Sequence, residues 1–512
     1  MLEKLGPALL AGVPSIIKPA TVTSYLTAAC FKLMVESNLF PEGSMQLIAG
    51  RPGDLFEHLD SRDQISFTGS AATALTLRAD KNLLNNSVTF NAEQDSLNST
   101  VLGADVVAGS VEFDLFVKEV FKEMTAKAGQ KCTAIRRIMV PEHLHNDVVD
   151  AVSARLSGVT VGDPQREDTD MGPLVSSAQR QDVIESAALI GSESQRVFGN
   201  DPLKVHGADI EKGAFVGPQL YSCQSPDVAQ YVHSKEAFGP VATVMPYKDA
   251  NHAAVLINRG GGSLVASVVT EDSAFARQLA LSSGAYHGRL YFNNRSSMQE
   301  STGHGSPLPH MTHGGPGRAG SGEELGGIRA VKHYMQRTSV QGGPDILSGI
   351  CSQYVASATQ LESTVHPFRK TFGELLIGET LKAGPRTITL KDIEHFAEFT
   401  GDNFYAHMDE AAAKANPFFP GRVAHGYLLL SFAAGLFVDP DPGPVLANTG
   451  LDGLSFQKPV VAGDSVSVSL TVKSKKLRNE EYGEVRWHVT LFNQDDEQVA
   501  SYELHTMNAT TA

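Results

Sequence analysis

The chain has 512 residues, 42% of them hydrophobic and 19% charged, and carries a formal net charge of −15 at pH 7. This length allows about three or four folding units, and the acidic balance argues against nucleic acid as a partner, since nucleic-acid-binding surfaces are basic. The sequence has no apolar run of the roughly 18 residues that a membrane span requires. It also has no basic leader before an apolar core, so we expect a cytoplasmic protein without a membrane partner. The four cysteines are far apart and form no CxxC motif, which argues against a zinc site or a disulfide framework.

Residues 1–340 alternate short apolar runs with amphipathic stretches typical of helices. The strand-like runs are SIIKP, MQLIAG, QISFTGS, RRIMVP, GPVATVMPY and RLYFNN. Strands that alternate with helices predict βαβ units around a mostly parallel sheet. The segment from Gly303 to Gly327 is rich in Gly, Pro and His and predicts a long functional loop. Residues 341–365 predict a linker with a bridging helix.

A different pattern follows in residues 366–512. Thr389 and Asp392 form a capping box, which predicts a helix start, and Ile393, Phe396 and Phe399 recur as the buried face of that helix. Two later runs alternate apolar and polar residues, which predicts half-buried antiparallel strands; their apolar members are Val466, Val468, Leu470 and Val472, then Val485, Trp487, Val489 and Leu491. Together these patterns predict an α+β domain in which a sheet wraps around a helix.

Two groups of reactive residues lie far apart in the sequence. Cys132 follows Gly-Gln-Lys, and Glu93 follows a strand-like run. A thiol nucleophile needs a base or a lowered pKa, and a nearby carboxylate can activate water for the second half of a covalent reaction. Asp402 and His407 share the stretch GDNFYAHMDE, and such a pair can exchange protons with a substrate. Because an isolated cysteine or Asp–His pair is more often structural, the surrounding motifs decide the interpretation.

Seven motifs in the first part occur in the order found in aldehyde dehydrogenases: IIKPAT, FPEGSMQLIAGRPG, ISFTGS, NAEQD, GQKCTAIRR, VGDP with MGPLV, and EAFGPV. On these motifs, residues 1–340 resemble the aldehyde dehydrogenase superfamily, which has an α/β fold. The resemblance implies that Cys132 attacks an aldehyde and that Glu93 activates the water that hydrolyses the thioester formed after oxidation.

The same resemblance implies a nicotinamide cofactor, NADP with NAD as the alternative. Lys18 would bind the adenosine ribose hydroxyls or a 2′-phosphate. Gly69 and Ser70 would meet the pyrophosphate near a helix N-terminus, where unsatisfied N–H groups favour anions. Glu236 would hold the nicotinamide ribose, with Phe238 beside it.

The resemblance begins part-way into the family's pattern. We therefore expect an incomplete cofactor domain, without the family's early strands and helices and without its oxyanion-binding asparagine. Loss of one oxyanion donor typically lowers a rate by about 10²–10³-fold, so we expect the chain as given to have little aldehyde oxidation activity.

The loop HGSPLPHMTHGG contains His304, His310 and His313. A metal site is one interpretation, but no carboxylate or cysteine in the loop completes a usual ligand set. We therefore predict a polar loop near the entrance of the cysteine site, and no metal.

Residues 366–512 resemble the MaoC-like, (R)-specific enoyl-CoA hydratases, which have the hot-dog fold. That family's signature is close to GD-x-N-P-x-H-x-D, and Gly401-Asp402, His407 and Asp409 keep its spacing, although Phe404-Tyr405 replaces its Asn-Pro. A His-Gly pair then opens an apolar helix, as in the family.

This second resemblance implies a CoA-thioester substrate. Asp402 and His407 would orient and activate water, and the backbone N–H of Gly426 would stabilise the enolate-like oxygen. Because hot-dog domains usually pair, it also implies a homo-oligomer, at least a dimer.

The order of the two domains resembles a family of bifunctional ring-opening enzymes of aerobic phenylacetate degradation. The resemblance implies hydrolytic opening of oxepin-CoA by the C-terminal domain, then NADP-dependent oxidation of the semialdehyde by the N-terminal domain. The alternative is an (R)-specific enoyl-CoA hydratase whose dehydrogenase-like part is an inactive scaffold.

Overall fold

The computed structural model describes residues 2–308, 310–311, 313–324 and 327–511. By its internal contacts the chain divides into two compact units, Met1–Arg337 and Thr338–Ala512. None of the helices in these described ranges is long and apolar enough to cross a membrane.

The first unit alternates helices and strands, as the sequence predicts. Its helices are α1 Leu2–Leu10, α2 Ser24–Glu36, α3 Ala71–Arg78, α4 Lys81–Asn85, α5 Val111–Thr125, α6 His145–Leu156, α7 Ser177–Gly191, α8 Ala250–Asn258, α9 Ser273–Ser283 and α10 Gly327–His333. Its strands are β1 Ser15–Ile17, β2 Met45–Leu47, β3 Gln64–Thr68, β4 Thr89–Glu93, β5 Ser99–Leu102, β6 Arg137–Pro141, β7 Gln195–Phe198, β8 Gln219–Ser222, β9 Val241–Tyr247, β10 Ser263–Val269, β11 His287–Asn293, β12 His313–Gly314 and β13 Glu323–Glu324.

A seven-stranded sheet in the order β11-β10-β5-β6-β9-β8-β7 forms the centre of this unit. Every neighbouring pair is parallel except β7 with β8, so the prediction of a mostly parallel sheet is confirmed. Successive residues alternate between two apolar cores: Val101 and Met139 belong to one, Leu102 and Ile138 to the other. Since neighbouring side chains on a strand point to opposite faces, the sheet is covered on both sides.

The N-terminal part of the first unit is more open. Here β1 pairs only with β2, and β3 pairs with β4, each pair being parallel. Helix α2 buries none of its residues, and the side chains of Tyr25 and Leu33 are 76% and 69% exposed. This region therefore contributes little to the apolar cores of the unit.

The second unit is a sheet around one apolar helix. Its strands are β14 Leu361–Glu362, β15 Glu379–Thr387, β16 Val445–Phe456, β17 Ser465–Leu477, β18 Tyr482–Phe492 and β19 Gln498–Ala509, in the order β14-β15-β17-β18-β19-β16. These strands are antiparallel except for β14, which pairs with β15 in parallel. Its helices are α11 Pro344–Cys351, α12 Leu390–Thr400, α13 Tyr405–Met408, α14 Glu410–Ala415 and α15 Gly426–Phe437.

The core of this unit lies between α15 and the long strands. Leu428 and Phe432 of α15 pack in the same cluster as Val468, Trp487 and Val489 of the sheet. The predicted alternating strands are confirmed, since all eight of their apolar residues are at most 2% exposed. This is the expected sheet wrapped around a helix.

Helix α12 begins and ends as predicted, but its buried face is narrower. Thr389 and Asp392 form the capping box, and Gly401 ends the helix with a φ of 80°. Ile393 is buried, whereas Phe399 is 80% exposed. The prediction that Phe399 belongs to the buried face is wrong, because Phe399 lies six positions after Ile393, about 240° further around the helix axis, and so faces away from the core.

The segment expected to be a linker is folded within the second unit. Helix α11 lies in it, and Leu361–Glu362 pairs with Glu379–Thr380 at the edge of the sheet. The backbone N–H of Tyr354 also donates to the carbonyl oxygen of Lys473 at 2.8 Å. Residues 341–365 therefore supply β14, the sixth strand of the sheet.

Candidate active sites

Cys132 lies on a turn that a buried asparagine holds in place. The cysteine is an exposed thiol just before β6. The side-chain amide of Asn98 donates to the carbonyl oxygens of Cys132 and Ala134, at 2.7 and 3.1 Å. Asn98 is itself fully buried, so the backbone on either side of the thiol is anchored to the start of β5.

Arg136 connects this turn to a second loop. Its guanidinium donates to the carbonyl oxygens of Gly129 and Lys131, at 2.9 and 3.4 Å, and to that of Gly239, at 2.7 Å. It also forms an ion pair with Glu236 at 3.4 Å. The loop GQKC and the loop EAFG are therefore joined through one side chain.

Glu236 is enclosed rather than open to solvent. Its side chain is 8% exposed, and its second carboxylate oxygen accepts from the backbone N–H of Ser96 at 3.0 Å. Burial raises the pKa of this carboxyl, while burial lowers the pKa of Arg136. The ring of Phe238 lies 5.5 Å from the guanidinium carbon of Arg136. Thus the structure brings Glu236, Phe238 and the turn of Cys132 together around Arg136.

Glu93 is the last residue of β4 and lies beside the turn that follows β3. Its backbone oxygen accepts from the N–H of Gly69 at 3.1 Å, and its carboxylate accepts from the Thr68 hydroxyl at 3.5 Å. The carboxylate also forms an ion pair with Lys4 of α1 at 3.8 Å. The strand pair thereby fixes Glu93 and Gly69 relative to each other.

Two groups expected to bind the cofactor follow the carboxyl ends of β1 and β3, where ligands usually bind in parallel sheets, whereas the loop EAFG precedes β9. Lys18 is exposed after β1, and the hydroxyl of Ser70 caps α3 by accepting from the N–H of Thr73 at 3.2 Å. Asp95 already accepts from the N–H of Ala71 at 3.1 Å. An ammonium and a hydroxyl suit a dinucleotide phosphate, but the Asp95 carboxylate takes one of the N–H groups at this helix start.

His304 lies inside the protein, so the prediction that it belongs to a polar entrance loop is wrong. The residue is fully buried; its Nδ1 lies 2.8 Å from the Ser267 hydroxyl, and its backbone N–H donates to Glu119 at 2.5 Å. Burial lowers the pKa of His304 to about 3. Of the other two histidines in that loop, His310 is exposed, and the side chain of His313 lies outside the described part of the structure.

The second site lies where α12, α13 and α15 meet. One side-chain atom from each of Asp402, His407 and His425 lies within 4.8 Å of the others. The imidazole rings of His407 and His425 stack, with centroids 3.8 Å apart. The structure thus brings together the predicted pair, Asp402 and His407, and adds a histidine that the sequence analysis did not assign.

Hydrogen bonds to carbonyl oxygens define the tautomers of the two histidines. Nδ1 of His407 donates to the oxygen of Val423 at 2.7 Å, which leaves its Nε2 with a lone pair. Nε2 of His425 donates to the backbone oxygen of Asp402 at 2.9 Å, so Nδ1 of His425 carries the lone pair and is buried without a partner among the described residues. Burial lowers the pKa of His425. A neutral His425 therefore packs against an imidazole that can accept a proton.

Aromatic side chains and a helix start border this pair. The rings of Phe404 and Tyr405 are tilted against each other with centroids 4.5 Å apart, and the centroid of the Phe404 ring lies 6.1 Å from that of His407. Phe418 is 78% exposed. Gly426 is the first residue of α15, where backbone N–H groups favour developing negative charge. The aromatic rings suit an apolar acyl group, and the N–H groups at the start of α15 suit a thioester oxygen.

Asp402, His407 and His425 also have ligand types that bind divalent metals. Each imidazole donates one ring N–H to a carbonyl oxygen and keeps one lone pair, which is the arrangement of a histidine that either accepts a proton or binds a metal.

Comparison with known families decides the assignment of the two units. The family described as "Aldehyde dehydrogenase family" matches residues 1–340, more than half of the chain. The chain belongs to the aldehyde dehydrogenase family. The description "MaoC like domain" matches residues 373–491. The chain is an aldehyde dehydrogenase domain fused to a MaoC-like domain, and the expected α/β and hot-dog folds are confirmed.

Two curated relatives are similar in sequence to a large part of this chain. Protein MaoC of Klebsiella aerogenes is 51% identical over 312 residues, which cover 60% of this chain and 91% of the relative. The 3,4-dehydroadipyl-CoA semialdehyde dehydrogenase of Aromatoleum evansii is 45% identical over 315 residues, which cover 61% of each. The chain thus spans less than two thirds of the length of the second relative.

Solved structures show the same fold. Betaine aldehyde dehydrogenase from Staphylococcus aureus in complex with NAD⁺ is 26% identical, with a TM-score of 0.56 over 65% of this chain and 62% of that chain. An NAD-dependent aldehyde dehydrogenase from Sinorhizobium meliloti is 23% identical, with the same TM-score of 0.56. The second likeness is one of fold alone.

The sequence gives little sign of the side chains that hold each of the two sites in its own arrangement. Asn98, Arg136 and His425 make their contacts with residues far away in the chain, or with backbone oxygens that carry no sequence signal. The signal that existed was modest: Arg136 lies inside the motif GQKCTAIRR, and His425 precedes the glycine already assigned to the helix start.

Proposed function

We propose that the MaoC-like domain opens oxepin-CoA by adding water and that the aldehyde dehydrogenase domain oxidises the resulting semialdehyde-CoA with NADP, in aerobic phenylacetate catabolism. The observation that carries the proposal is the Asp402–His407 pair, in which His407 keeps a lone pair on Nε2. The name of the Aromatoleum relative, which refers to a CoA-linked semialdehyde, supports a CoA-linked aldehyde as substrate. We further propose a cytoplasmic homo-oligomer, at least a dimer.

In the MaoC-like domain, Asp402 and His407 would orient one water molecule and take its proton as the oxygen attacks the substrate. Delivery of a proton to the α-carbon would complete the addition. The N–H of Gly426 at the start of α15 would stabilise the negative charge that develops on the thioester oxygen. The exposed rings of Phe404 and Tyr405 would border a cyclic acyl group.

In the aldehyde dehydrogenase domain, the Cys132 sulfur would attack the aldehyde carbon, and Glu93 would activate the water that releases the acid. A bound nicotinamide cofactor would supply the hydride acceptor. Lys18 and Ser70 would hold its phosphates or adenosine ribose, and Glu236 with Phe238 would border its nicotinamide end.

The experiment presents the full chain with oxepin-CoA or crotonyl-CoA, with NADP and with NAD, and follows consumption of the unsaturated CoA substrate and formation of reduced cofactor. Oxepin-CoA should be consumed, and NADPH should form slowly, as the expectation from the sequence requires. Asp402→Asn should abolish both signals, whereas Cys132→Ala should abolish only NADPH formation. Cys30→Ala, which removes another exposed thiol of the same domain, should preserve both. Hydration of crotonyl-CoA with no reaction of oxepin-CoA would contradict the proposal.

A second candidate is (R)-specific hydration of enoyl-CoA alone, with the dehydrogenase domain as a scaffold. The ion pair between Glu93 and Lys4 favours it, because the Lys4 ammonium lies at a carboxylate oxygen that would otherwise accept from the water. A supplied semialdehyde-CoA distinguishes the two, since a scaffold would form no NADPH from it.

A further inference from the structure

The guanidinium of Arg136 is directed entirely at the two loops that border the thiol. Its N–H groups donate to the carbonyl oxygens of Gly129 and Lys131, which both lie just before Cys132, and to acceptors of Gly239 and Glu236 on the second loop. A planar fork of five donors is suited to holding several acceptors in a fixed arrangement. The side chain is only 4% exposed, so water does not compete for these contacts.

The neighbouring arginine shows that this direction is specific. Arg137 is also buried, but it donates to the carbonyl oxygens of Leu97, Leu256 and Ile257, at 2.7 to 3.2 Å. These contacts tie β6 to α8 and to the start of β5. Of the two consecutive arginines, Arg136 is therefore the one that faces the nucleophile.

Charge in this enclosed region favours an anion at the thiol. A buried guanidinium is costly to hold unless negative charge compensates for it, and the Glu236 carboxylate lies at a distance of 3.4 Å. Burial lowers the pKa of Arg136, and negative charge on Glu236 and on the Cys132 sulfur acts in the opposite sense. Because such an interaction is mutual, the guanidinium also stabilises the thiolate relative to the thiol.

We propose that Arg136 is a positioning residue for the nucleophile: it holds the backbone that leads into Cys132 against the loop of Glu236, and its positive charge favours the thiolate, which keeps the cysteine reactive. The inference deepens the proposed dehydrogenase function and rests on it for the role of Cys132. It also gives Glu236 a second task, because the carboxylate anchors Arg136 from the opposite loop.

Alkylation of Cys132 tests this without any aldehyde oxidation, so its failure and that of the proposed function can be told apart. The full chain is treated with iodoacetamide across a range of pH, and modification of the peptide that contains Cys132 is followed by mass spectrometry. The variants are Arg136→Gln and Arg136→Lys. Arg259→Gln is the matched control, because Arg259 also donates to three carbonyl oxygens, those of Pro226, Asp227 and Ala229.

In Arg136→Gln the rate at neutral pH should fall about tenfold and the pH midpoint of alkylation should rise by about one unit, since one unit corresponds to a tenfold change in thiolate. Arg136→Lys keeps the charge but loses the fork, so its rate should fall about threefold. Arg259→Gln should behave as the wild type. A wild-type midpoint and rate in Arg136→Gln would overturn the proposal. Should that variant fail to fold, as judged by circular dichroism, a wild-type rate in Arg136→Lys would overturn it.

Discussion

Acid should destabilise the aldehyde dehydrogenase domain through three buried histidines. Burial lowers the pKa values of His233, His287 and His304 to about 3 each, from an ordinary value of 6.5. The unfolded chain binds protons at these positions below pH 6.5, whereas the folded domain does not until about pH 3. Stability is therefore present at neutral pH and falls as the pH decreases between these two values.

The size of the effect follows from the same pKa values. At pH 5, protonation of each histidine in the unfolded chain favours unfolding by about 2 kcal/mol. Three independent histidines would together cost about 6 kcal/mol, which is comparable to the whole stability of many domains, about 5–15 kcal/mol. Moving from pH 7 to pH 5 should thus lower the urea midpoint of this domain substantially.

Two carboxyls of the same domain act in the opposite sense. Burial raises the pKa values of Glu119 and Glu236, so the folded domain binds their protons more readily than the unfolded chain. Their protonation on acidification stabilises the folded state. These two carboxyls therefore offset part of the loss that the histidines cause.

The chain offers a separate probe for each domain. Cys223 is fully buried in the aldehyde dehydrogenase domain, and Trp487, the only tryptophan, is fully buried in the MaoC-like domain. Urea titrations at pH 7 and pH 5 would follow labelling of Cys223 with a thiol reagent active at acid pH, together with Trp487 fluorescence. The urea concentration at the midpoint of Cys223 labelling should be lower at pH 5 than at pH 7.

Replacement of one histidine tests the assignment. His304→Gln removes a titrating group while its amide can still bond the Ser267 hydroxyl, so about a third of the histidine contribution to the pH dependence should disappear. A Cys223 midpoint that is equal at pH 7 and pH 5, or a pH dependence in His304→Gln equal to that of the wild type, would refute the reasoning.

Three further predictions concern the MaoC-like domain. Asp402→Asn should lower the rate of hydration about a thousandfold without changing the melting temperature. Asp409→Ala should remove the cap of α14, which should lower the free energy of unfolding in urea by about 1 kcal/mol and leave the rate of hydration unchanged. A reversed pattern would contradict both roles. A Cβ on Gly426 would lie 2.4 Å from the Phe456 ring, so Gly426→Ala should slow hydration about tenfold in a steady-state assay, and an unchanged rate would argue against a tight helix start. Trp487→Phe should lower the free energy of unfolding of this domain by about 2 kcal/mol in urea, and a smaller change than 0.5 kcal/mol, about the limit of such measurements, would indicate that the core repacks.

Much of the fold could be predicted because local sequence and final environment agree. The runs of alternating apolar residues around Val468 and Trp487 became long antiparallel strands, and the capping box at Thr389 became a helix start. Phe399 is exposed for a reason local to the helix, because it does not share the face of Ile393. The folding of segment 341–365 could not be predicted, because its partners on the sheet are remote in sequence and periodicity does not reveal them.

The site was predicted to the extent that its residues share a short motif. Asp402 and His407 lie five positions apart and meet in the structure. By contrast, Asn98 and Arg136 act through carbonyl oxygens, and every residue has a carbonyl oxygen, so no residue type marks the partner. The burial of His304 was likewise hidden, because its loop is polar and rich in glycine.

The pairing of β3 with β4 limits how this enzyme could be altered. Thr68 lies opposite Glu93, and the N–H of Gly69 binds the Glu93 oxygen. A slip of one residue would move the carboxylate by about 3.3 Å and turn it to the other face of the strand pair. Insertions in the helical connection between Ala71 and Asn85 leave this alignment intact, whereas a single deletion within either strand would separate the proposed base from the turn at Gly69. Changes in chain length are therefore compatible with this site in the helical connection but not within the two strands.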